Sequence, residues 1–573
     1  MHVSLCQINP TVGALEANCA LIASAAKAAF RNGASIIVFP ELAMAGYPPE
    51  DLILKRHFAE DAWTHLTQLA ADLPRDAIVI LGVPQSVDQN VYNSAAVLQG
   101  GRIVAVYHKM MLPNYGVFDE KRVFTPGPMP MILHIGTLRA GLHICEDSWF
   151  LQEDAVQLLK DADLDILFNL SASPYHRGKR AVREHILRQT AAFLNCSLAY
   201  CNLVGGQDEL VFDGGSLLMD RDGTVTARAP QFEPCQLSGT MPTPKGIIPN
   251  EESLPSLRRL VHLPAPPPSR HPCHPLSAEV SPLLDDHSEV YAALKTGLRD
   301  YVDKNGFQKV VVALSGGIDS ALVATIAVDT LGAERVAGVT MPSQYTSEGT
   351  LTDAEQLAKD LGIEFFNVPI RSVYDSYMSE LLPLWKGIPP DVTEENLQAR
   401  IRGTMVMAIS NKFNWLVLTT GNKSELATGY CTLYGDMVGG FALIKDLPKS
   451  LVYELSRWRN QQSDTPVIPV STIERPPSAE LRPDQKDSDS LPPYDLLDAI
   501  IERYVERDQG VDSIVAEGFD PDTVKRVSRL VDLSEYKRRQ GAPGIKITPK
   551  AFGRDRRMPI TNSYREWVKG ARQ

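Results

Sequence analysis

"VVVALSGGIDSALVATIAV", residues 310–328, carries a strand, a glycine turn and a helix in succession. Residues 310–314 are apolar without alternation, as in a strand covered on both faces. The run breaks at Ser315-Gly316-Gly317-Ile318-Asp319-Ser320, and an apolar helical pattern resumes near Ser320. Two glycines let the backbone come close to a ligand and turn its N–H groups outward. The N-terminus of the following helix adds partial positive charge and free donors for an anion. Ser315 and Ser320 can add hydroxyl donors. The pattern G-x-x-x-x-G-K-[ST] is not met, and an aspartate stands inside the loop. Asp319 alone would repel phosphate. A Mg²⁺ ion shared by carboxylate and phosphate oxygens removes the conflict, so the loop predicts a metal–polyphosphate site.

The flanks extend this reading. "EVYAALKTGLRDYVDKNG" precedes the loop as a helix, and "RVAGVTMPS", "EFFNVPI" and "WLVLTTGN" follow as strands, each trailed by a helical stretch. Such alternation predicts a parallel, doubly wound sheet that binds ligands beyond the carboxyl ends of its strands. "NLQARIRGTMVMAISN", residues 396–411, predicts a helix with Leu397, Ile401, Met405 and Ala408 on one buried stripe, and Asn396 and Arg400 sharing another face. Residues 474–495 are polar and Pro-rich, too long for a plain connection, and predict a mobile lid or a disordered loop.

Upstream, residues 1–235 form a second α/β pattern. "HVSLCQI" is followed by the amphipathic run "NCALIASAAKAAFRNG", then by "SIIVFPE", "AIVILGV", "RIVAVYH", "RAGLHIC", "ADLDILFNL", "SLAYCNLVG" and "GSLLMDRDGTV". The last contains the hairpin signal Asp222-Gly223. A large sheet or a two-sheet sandwich is expected. Between residues 242 and 282 lie eleven prolines, which exclude a helix or a central strand there and predict an extended linker. The expected organisation is a domain over 1–240, a linker over 241–284 and a second domain over 285–573.

Composition narrows the function classes. A chain of 573 residues exceeds a single core. Hydrophobic content of 44% and charged content of 22% are those of a soluble globular protein. A formal charge of −12 argues against a general nucleic-acid binder. Eight cysteines without a C-x-x-C pair suit a reducing compartment. "MHVSLCQINPTVG" lacks the basic start and apolar core of a signal peptide, and no apolar run reaches the ~20 residues of a membrane span. A cytoplasmic protein without membrane or nucleic-acid partners is expected.

Three N-terminal stretches place reactive side chains at strand ends, where a rigid frame can converge them: Glu41 in "IIVFPELAMAGYPPEDL", Lys109 in "HKMMLPNYGVFDEKR" and Cys145 in "AGLHICEDSWF". A thiol nucleophile needs a base, and its tetrahedral intermediate needs a cation or donors. Glutamate, lysine and cysteine supply one of each. Cys6, Cys196 and Cys201 lie in strand patterns and suit buried packing. Tyr47, Trp149 and Phe150 suit either pocket walls or core.

Two resemblances follow from these motifs. "SGGIDS" resembles the loop of the N-type ATP pyrophosphatases, which cleave ATP to AMP and pyrophosphate to activate a carboxyl or carbonyl oxygen. "GNKSELATGY", "GDMVGGFALIKDLPKSLVYEL", "PSAELRPDQ" and "EYKRRQGAPG" make nearly all of 285–565 similar to the NAD synthetases. That likeness implies ATP contacts from Leu314, Ser315, Gly316, Gly317, Ile318, Asp319, Ser320, Ala321 and Thr420. It implies Mg²⁺ held by Asp319 and Glu425, and deamido-NAD bound by Asn396, Glu425 and Lys537, with Arg538 or Arg539 as alternatives to the last. Lys423 is expected in the same crevice, neutralising charge during adenylation.

"FPE", "HKMMLPNYGVFDE" and "ICEDSWF" resemble the nitrilase-type amidases over roughly residues 1–235. By that likeness Glu41 is the base, Lys109 the oxyanion stabiliser, Cys145 the nucleophile and Glu120 a supporting acid. Tyr115, Ser173 and Lys179 match glutamine-binding positions, and Ser171 with Arg177 keeps the same six-residue spacing. The implied fold is a nitrilase-like α-β-β-α sandwich followed by a doubly wound, Rossmann-like domain of the adenine nucleotide alpha hydrolase type. The fusion resembles the glutamine-dependent NAD synthetases. It implies a homo-oligomer, at least a dimer through the second domain, using ATP and L-glutamine. An amidotransferase acting on another nucleotide acid is the competing enzyme reading.

Overall fold

The computed structural model describes residues 1–240, 242–245, 258–267, 280–564 and 566. The chain divides into two compact units, Met1–Leu284 and Asp285–Gln573.

Among the described residues the first unit has fifteen strands: β1 (His2–Gln7), β2 (Ile36–Val38), β3 (Ile78–Val87), β4 (Asn90–Gln99), β5 (Arg102–His108), β6 (Met131–Ile135), β7 (Leu138–Ile144), β8 (Ile166–Ser171), β9 (Ser197–Asn202), β10 (Val204–Gln207), β11 (Leu210–Asp213), β12 (Leu217–Met219), β13 (Val225–Arg228), β14 (Cys235–Thr240) and β15 (Arg259–Leu263). They build a six-stranded sheet, β14-β1-β2-β3-β4-β5, and a seven-stranded sheet, β13-β12-β9-β8-β7-β6-β15, with β10 and β11 as a separate ribbon. Val3, Leu5, Ile36 and Ile78 of one sheet share a core with Leu133, Leu142, Ile166 and Phe168 of the other. The helices Leu15–Arg31 and Arg56–Asp72 cover the outer face of the first sheet, and Lys179–Leu194 that of the second. The layers are therefore α-β-β-α. Both faces of each sheet are covered, which is why the strands are apolar without alternation.

Strands β4, β6, β11, β14 and β15 are not among the expected runs, and two of them are instructive. β4 opens on the polar run Asn-Val-Tyr-Asn-Ser and gives no strand signal until its apolar second half. It nevertheless pairs along its whole length with β3. The Pro-rich stretch expected to be a linker carries β15, which runs parallel to β6 at the sheet edge. β15 itself, "RLVHL", contains no proline, and an edge position asks for pairing on one side only. Residues 246–257 and 268–279 of that stretch lie outside the described residues.

In the second unit β16 (Val310–Ala313), β17 (Val336–Thr340), β18 (Glu364–Asn367), β19 (Leu416–Thr419) and β20 (Phe441–Ala442) form one parallel sheet in the order β18-β17-β16-β19-β20. The chain winds one way from β16 to β18 and then the other way from β19. This reversal beside β16 is the switch point where such sheets bind ligands. The helix Val392–Phe413 buries Gln398, Ala399, Ile401, Gly403 and Val406. That is not the predicted stripe: Leu397 and Met405 are half-buried, and Ala408 is exposed. Apolar residues lie all round this helix, so periodicity alone did not single out its buried face.

Candidate active sites

Glu41 follows β2 in a buried turn that lies against β3. At Gly82 of β3 a Cβ would come within 2.1 Å of the Leu42 nitrogen, so only glycine permits that approach. Lys109 follows β5, and Cys145 follows β7 as the first residue of the turn Cys145–Ser148. The Lys109 Nζ donates to Glu41 Oε1 at 2.7 Å and to Glu120 Oε1 at 2.8 Å. All three side chains are buried. Glu41 also accepts from Asn93 Nδ2 at 2.7 Å and from the Ala172 amide at 2.8 Å. Tyr47 donates its hydroxyl to Glu120 Oε1 at 2.8 Å, so it is part of this cluster and not only a wall.

Burial by itself would lower the Lys109 pKa, but Glu120 and Glu41 more than offset it and hold the ammonium well above its usual range. Burial pushes Glu120 up to about 7, Lys109 opposing and Glu41 adding to the rise. Burial and the Glu41 charge push the Cys145 thiol well up, while Lys109 pulls it down. Cys145 also has φ +45°, a strained left-handed backbone that functional sites tend to store. Asp147 sets this turn: its carboxylate accepts from the amides of Ile144, Met110 and Met111 and from the Tyr107 hydroxyl, all at 2.8–3.0 Å. It thereby ties the cysteine turn to the segment after Lys109.

Tyr115 donates to both oxygens of Glu146, at 3.0 and 3.1 Å. Burial raises the pKa of Glu146, while Lys109, the Tyr115 hydroxyl and Lys179 lower it. The Lys179 ammonium lies 3.9 Å from the Trp149 ring centroid, whereas Arg177 is exposed. The Ser173 amide donates to Asn202, and Ser171 donates to Asn169. Phe150 is exposed, which excludes the core reading.

In the second unit the loop after β16 opens onto a cavity of about 310 Å³ lined by Leu314, Ser315, Gly316, Gly317, Asp319 and Ser320, among others. Gly316 has φ +77°, and a Cβ there would sit 2.1 Å from the Thr350 carbonyl oxygen. No other residue fits. Ile318, Thr420 and Glu425 also line the cavity, while Ala321 is buried in the helix outside that lining. Asp319 accepts from Asn422 Nδ2 at 2.9 Å and forms a short ion pair with Lys449, whose Nζ is 3.6 Å from Glu425. Burial and Asp319 push Glu425 up to about 8, Lys449 opposing.

Lys423 is not in this crevice. Its ammonium is fully buried elsewhere, 2.9 Å from Asp446 and 2.7 Å from Glu506, and it also donates to the Lys550 carbonyl. Residues two apart on a helix face different ways, so Lys423 cannot share the Glu425 face. The lysine beside Asp319 and Glu425 is Lys449. Asn396 accepts from the Thr432 hydroxyl, and Lys537 donates to the carbonyls of Gly429 and Cys431, of which Cys431 lines the cavity. Arg538 is buried on the carbonyls of Leu426 and Ala427, and Arg539 pairs with Glu535. Residues 475–481 pack over the cavity: Arg475 donates to Thr350 Oγ1 at 3.1 Å, and Glu480 accepts from Thr350 Oγ1 at 2.7 Å and Ser347 Oγ at 3.0 Å.

A buried Glu–Lys–Cys cluster in an α-β-β-α sandwich, joined to a doubly wound sheet with an S-G-G-x-D-S loop, defines a two-unit class of protein. Residues 2–240 match the carbon-nitrogen hydrolase family, and residues 290–541 match the NAD synthase family. The chain is 46% identical to the glutamine-dependent NAD(+) synthetase of Thermotoga maritima over 99% of both chains, and 44% identical to that of Acinetobacter baylyi over 98% of both. The structure of the Acinetobacter baumannii glutamine-dependent NAD+ synthetase in complex with ADP superposes with a TM-score of 0.73 at 41% identity, covering 98% of each chain. The chain belongs to the glutamine-dependent NAD(+) synthetase family.

Proposed function

We propose that the chain amidates deamido-NAD to NAD+ with ammonia taken from L-glutamine, spending ATP and releasing AMP, pyrophosphate and glutamate, as the last step of NAD biosynthesis. We assign the glutaminase to residues 1–240 and the synthetase to 285–573, with the stretch between them as linker, in a cytoplasmic enzyme.

In the first unit Glu41 takes the Cys145 proton as the sulfur attacks the glutamine side-chain amide. A base is needed at that moment because burial disfavours the thiolate. Lys109 faces the developing oxyanion, and Glu120 with Tyr47 fixes its ammonium. Ammonia leaves, a glutamyl thioester forms, and water releases glutamate. Tyr115 is bonded to Glu146, next to Cys145, and Lys179 lies over Trp149 at the end of the same turn, which favours Ser173 with Lys179 over Ser171 with Arg177 for holding glutamine.

In the second unit the nicotinate carboxylate attacks the α-phosphate of ATP held at the Ser315–Ser320 loop. Ammonia then displaces AMP from the adenylated acyl group. Among the described residues no group of three or more His, Cys, Asp or Glu could enclose a metal ion. The pair Asp319 and Glu425 fits Mg²⁺, which binds through one or two carboxylates plus substrate phosphates. Burial first, and then the Asp319 charge, pushes Glu425 up, and such an ion relieves the second of these. Mg²⁺ would neutralise phosphate charge there, and Lys449 would hold a phosphate oxygen. Leu382, Leu384, Ile388 and Val392 of this unit are each more than half exposed, which supports a second copy as their cover and hence at least a dimer.

One observation carries the reading: a buried cysteine in the field of Glu41, Lys109 and Glu120 stands in the same chain as an S-G-G-x-D-S loop opening on a cavity. The test follows nucleotide products from ATP and deamido-NAD with glutamine or ammonium. Formation of NAD+ and AMP from either nitrogen source is expected. Formation of ADP in place of AMP would overturn it.

A further inference from the structure

The cavity beside the phosphate loop has a second cationic wall. Arg402, on the helix Val392–Phe413, lines it. Its Nε donates to the Met341 carbonyl at 2.9 Å, just beyond the carboxyl end of β17. This is its only hydrogen bond among the described residues. The neighbouring Gly403 would, with a Cβ, come within 2.9 Å of the Tyr434 carbonyl oxygen and 3.0 Å of that of Gly435. The helix is thus pressed against that loop, and Arg402 has a fixed seat.

Burial pulls the Arg402 pKa down to about 10, with Glu480 and Asp436 partly compensating. Neither carboxylate is given over to it. Glu480 accepts from Ser347 and Thr350, and Asp436 accepts from the Thr432 amide at 2.8 Å. A desolvated cation without a dedicated partner is costly to keep. A guanidinium fork that lines a cavity and makes no hydrogen bond through its Nη atoms is suited to an oxyanion, which it can grip in a bidentate manner. The Ser315–Ser320 loop and Lys449 lie at the β16–β19 crevice, so Arg402, beyond β17, is a separate contact point.

We propose that Arg402 is a substrate-binding residue that pairs with a phosphate or carboxylate oxygen of one of the two nucleotide substrates, apart from the anion seated on the glycine loop. This rests on the function proposed above.

The test measures KM and kcat for ATP and for deamido-NAD, with ammonium as nitrogen source, in the full chain and in its Arg402→Gln and Arg402→Lys variants. Loss of one charge-assisted contact should raise one KM by about 10- to 100-fold in Arg402→Gln, with kcat near the wild-type value. Arg402→Lys keeps the charge but loses the fork, should raise the same KM less, and decides the matter if Arg402→Gln melts early. A rise for ATP alone assigns the ATP phosphates. A rise for deamido-NAD alone assigns that nucleotide, and inhibition by NAD+ then separates its groups: unchanged inhibition marks the carboxylate, weakened inhibition a phosphate. Two KM values that stay near wild type, or that rise together while kcat falls, would overturn the assignment. A wild-type chain that does not convert deamido-NAD would reject the proposed function instead.

Discussion

The two candidate sites hold the same triplet of groups, one lysine between two carboxyls. In the first unit Lys109 stands between Glu41 and Glu120, and in the second Lys449 stands near Asp319 and Glu425. The difference is in symmetry and cover. Lys109 contacts both carboxylates, at 2.7 and 2.8 Å, and all three groups are buried. Lys449 is drawn to Asp319 and lies 3.6 Å from Glu425, beside an open cavity. The first cluster is complete in itself and waits for a neutral amide. The second leaves one carboxyl poorly compensated, as suits a site that receives a cation and a polyphosphate together. A charge triplet therefore does not define a chemistry; its surroundings do.

Removing Cys145, the proposed nucleophile beside the complete cluster, should break the comparison most sharply. Cys145→Ala is expected to lower glutamine-driven NAD+ formation by at least about 10⁴-fold, as loss of a covalent nucleophile does, while ammonium-driven formation stays at the wild-type rate. Loss of both activities in a chain with an unchanged melting curve would show that the sites do not act separately. The opposite variant, Asp319→Asn, should cut both synthetic activities by roughly a thousandfold, equivalent to several kcal/mol of charge stabilisation, and spare glutamine hydrolysis. Assaying glutamate release alongside NAD+ distinguishes the two variants.

The incomplete triplet carries a pH signature. Glu425 is raised from 4.5 to about 8 by burial and by Asp319, so between those values the folded chain keeps a proton that the unfolded chain has lost. For this group stability falls as pH rises through that window. On the proposed assignment of Glu425 to Mg²⁺, binding Mg²⁺ with ATP requires the carboxylate and would expel the proton. The affinity for Mg²⁺·ATP should therefore rise with pH below about 8, by up to about tenfold per unit, and level off above it. Calorimetry in buffers of different ionisation enthalpy would count the proton released. Glu425→Gln should flatten the stability profile between pH 5 and 8. A proton count of zero in the wild type would argue that Glu425 is not at the metal.

Much of this was legible from residue order. The strand–glycine–helix pattern located the switch point, since apolar strands covered on both faces and positive-φ glycines leave local marks. Glu41, Lys109 and Cys145 each end a strand pattern, which is also local. What stayed hidden depends on partners far away in the chain. Asn93 reaches Glu41 across 52 residues, and Lys449 reaches Asp319 across 130. Lys423 and Lys449 differ in sequence only by context, and only the helix direction after Asn422 turns the first away from the cavity. β15 sat within a proline-rich stretch whose composition masked five residues able to pair at an edge.

The smallest expected effect probes the rim of the complete cluster. Tyr115 is about half exposed, at 49%, and its hydroxyl is shared by the two oxygens of Glu146. If that bond only shapes the entrance, Tyr115→Phe removes one hydrogen bond near the glutamine and nothing from the reacting atoms. The KM for glutamine should then rise by about two- to tenfold, the range for a bond of roughly 0.5–1.5 kcal/mol. The glutamine kcat and all ammonium-driven kinetics should stay unchanged. A fall in kcat at unchanged KM would instead carry the influence of Tyr115 inward through Glu146, the residue next to Cys145. The rim would then belong to the charge cluster, and the self-contained triplet would have to be redrawn to include it.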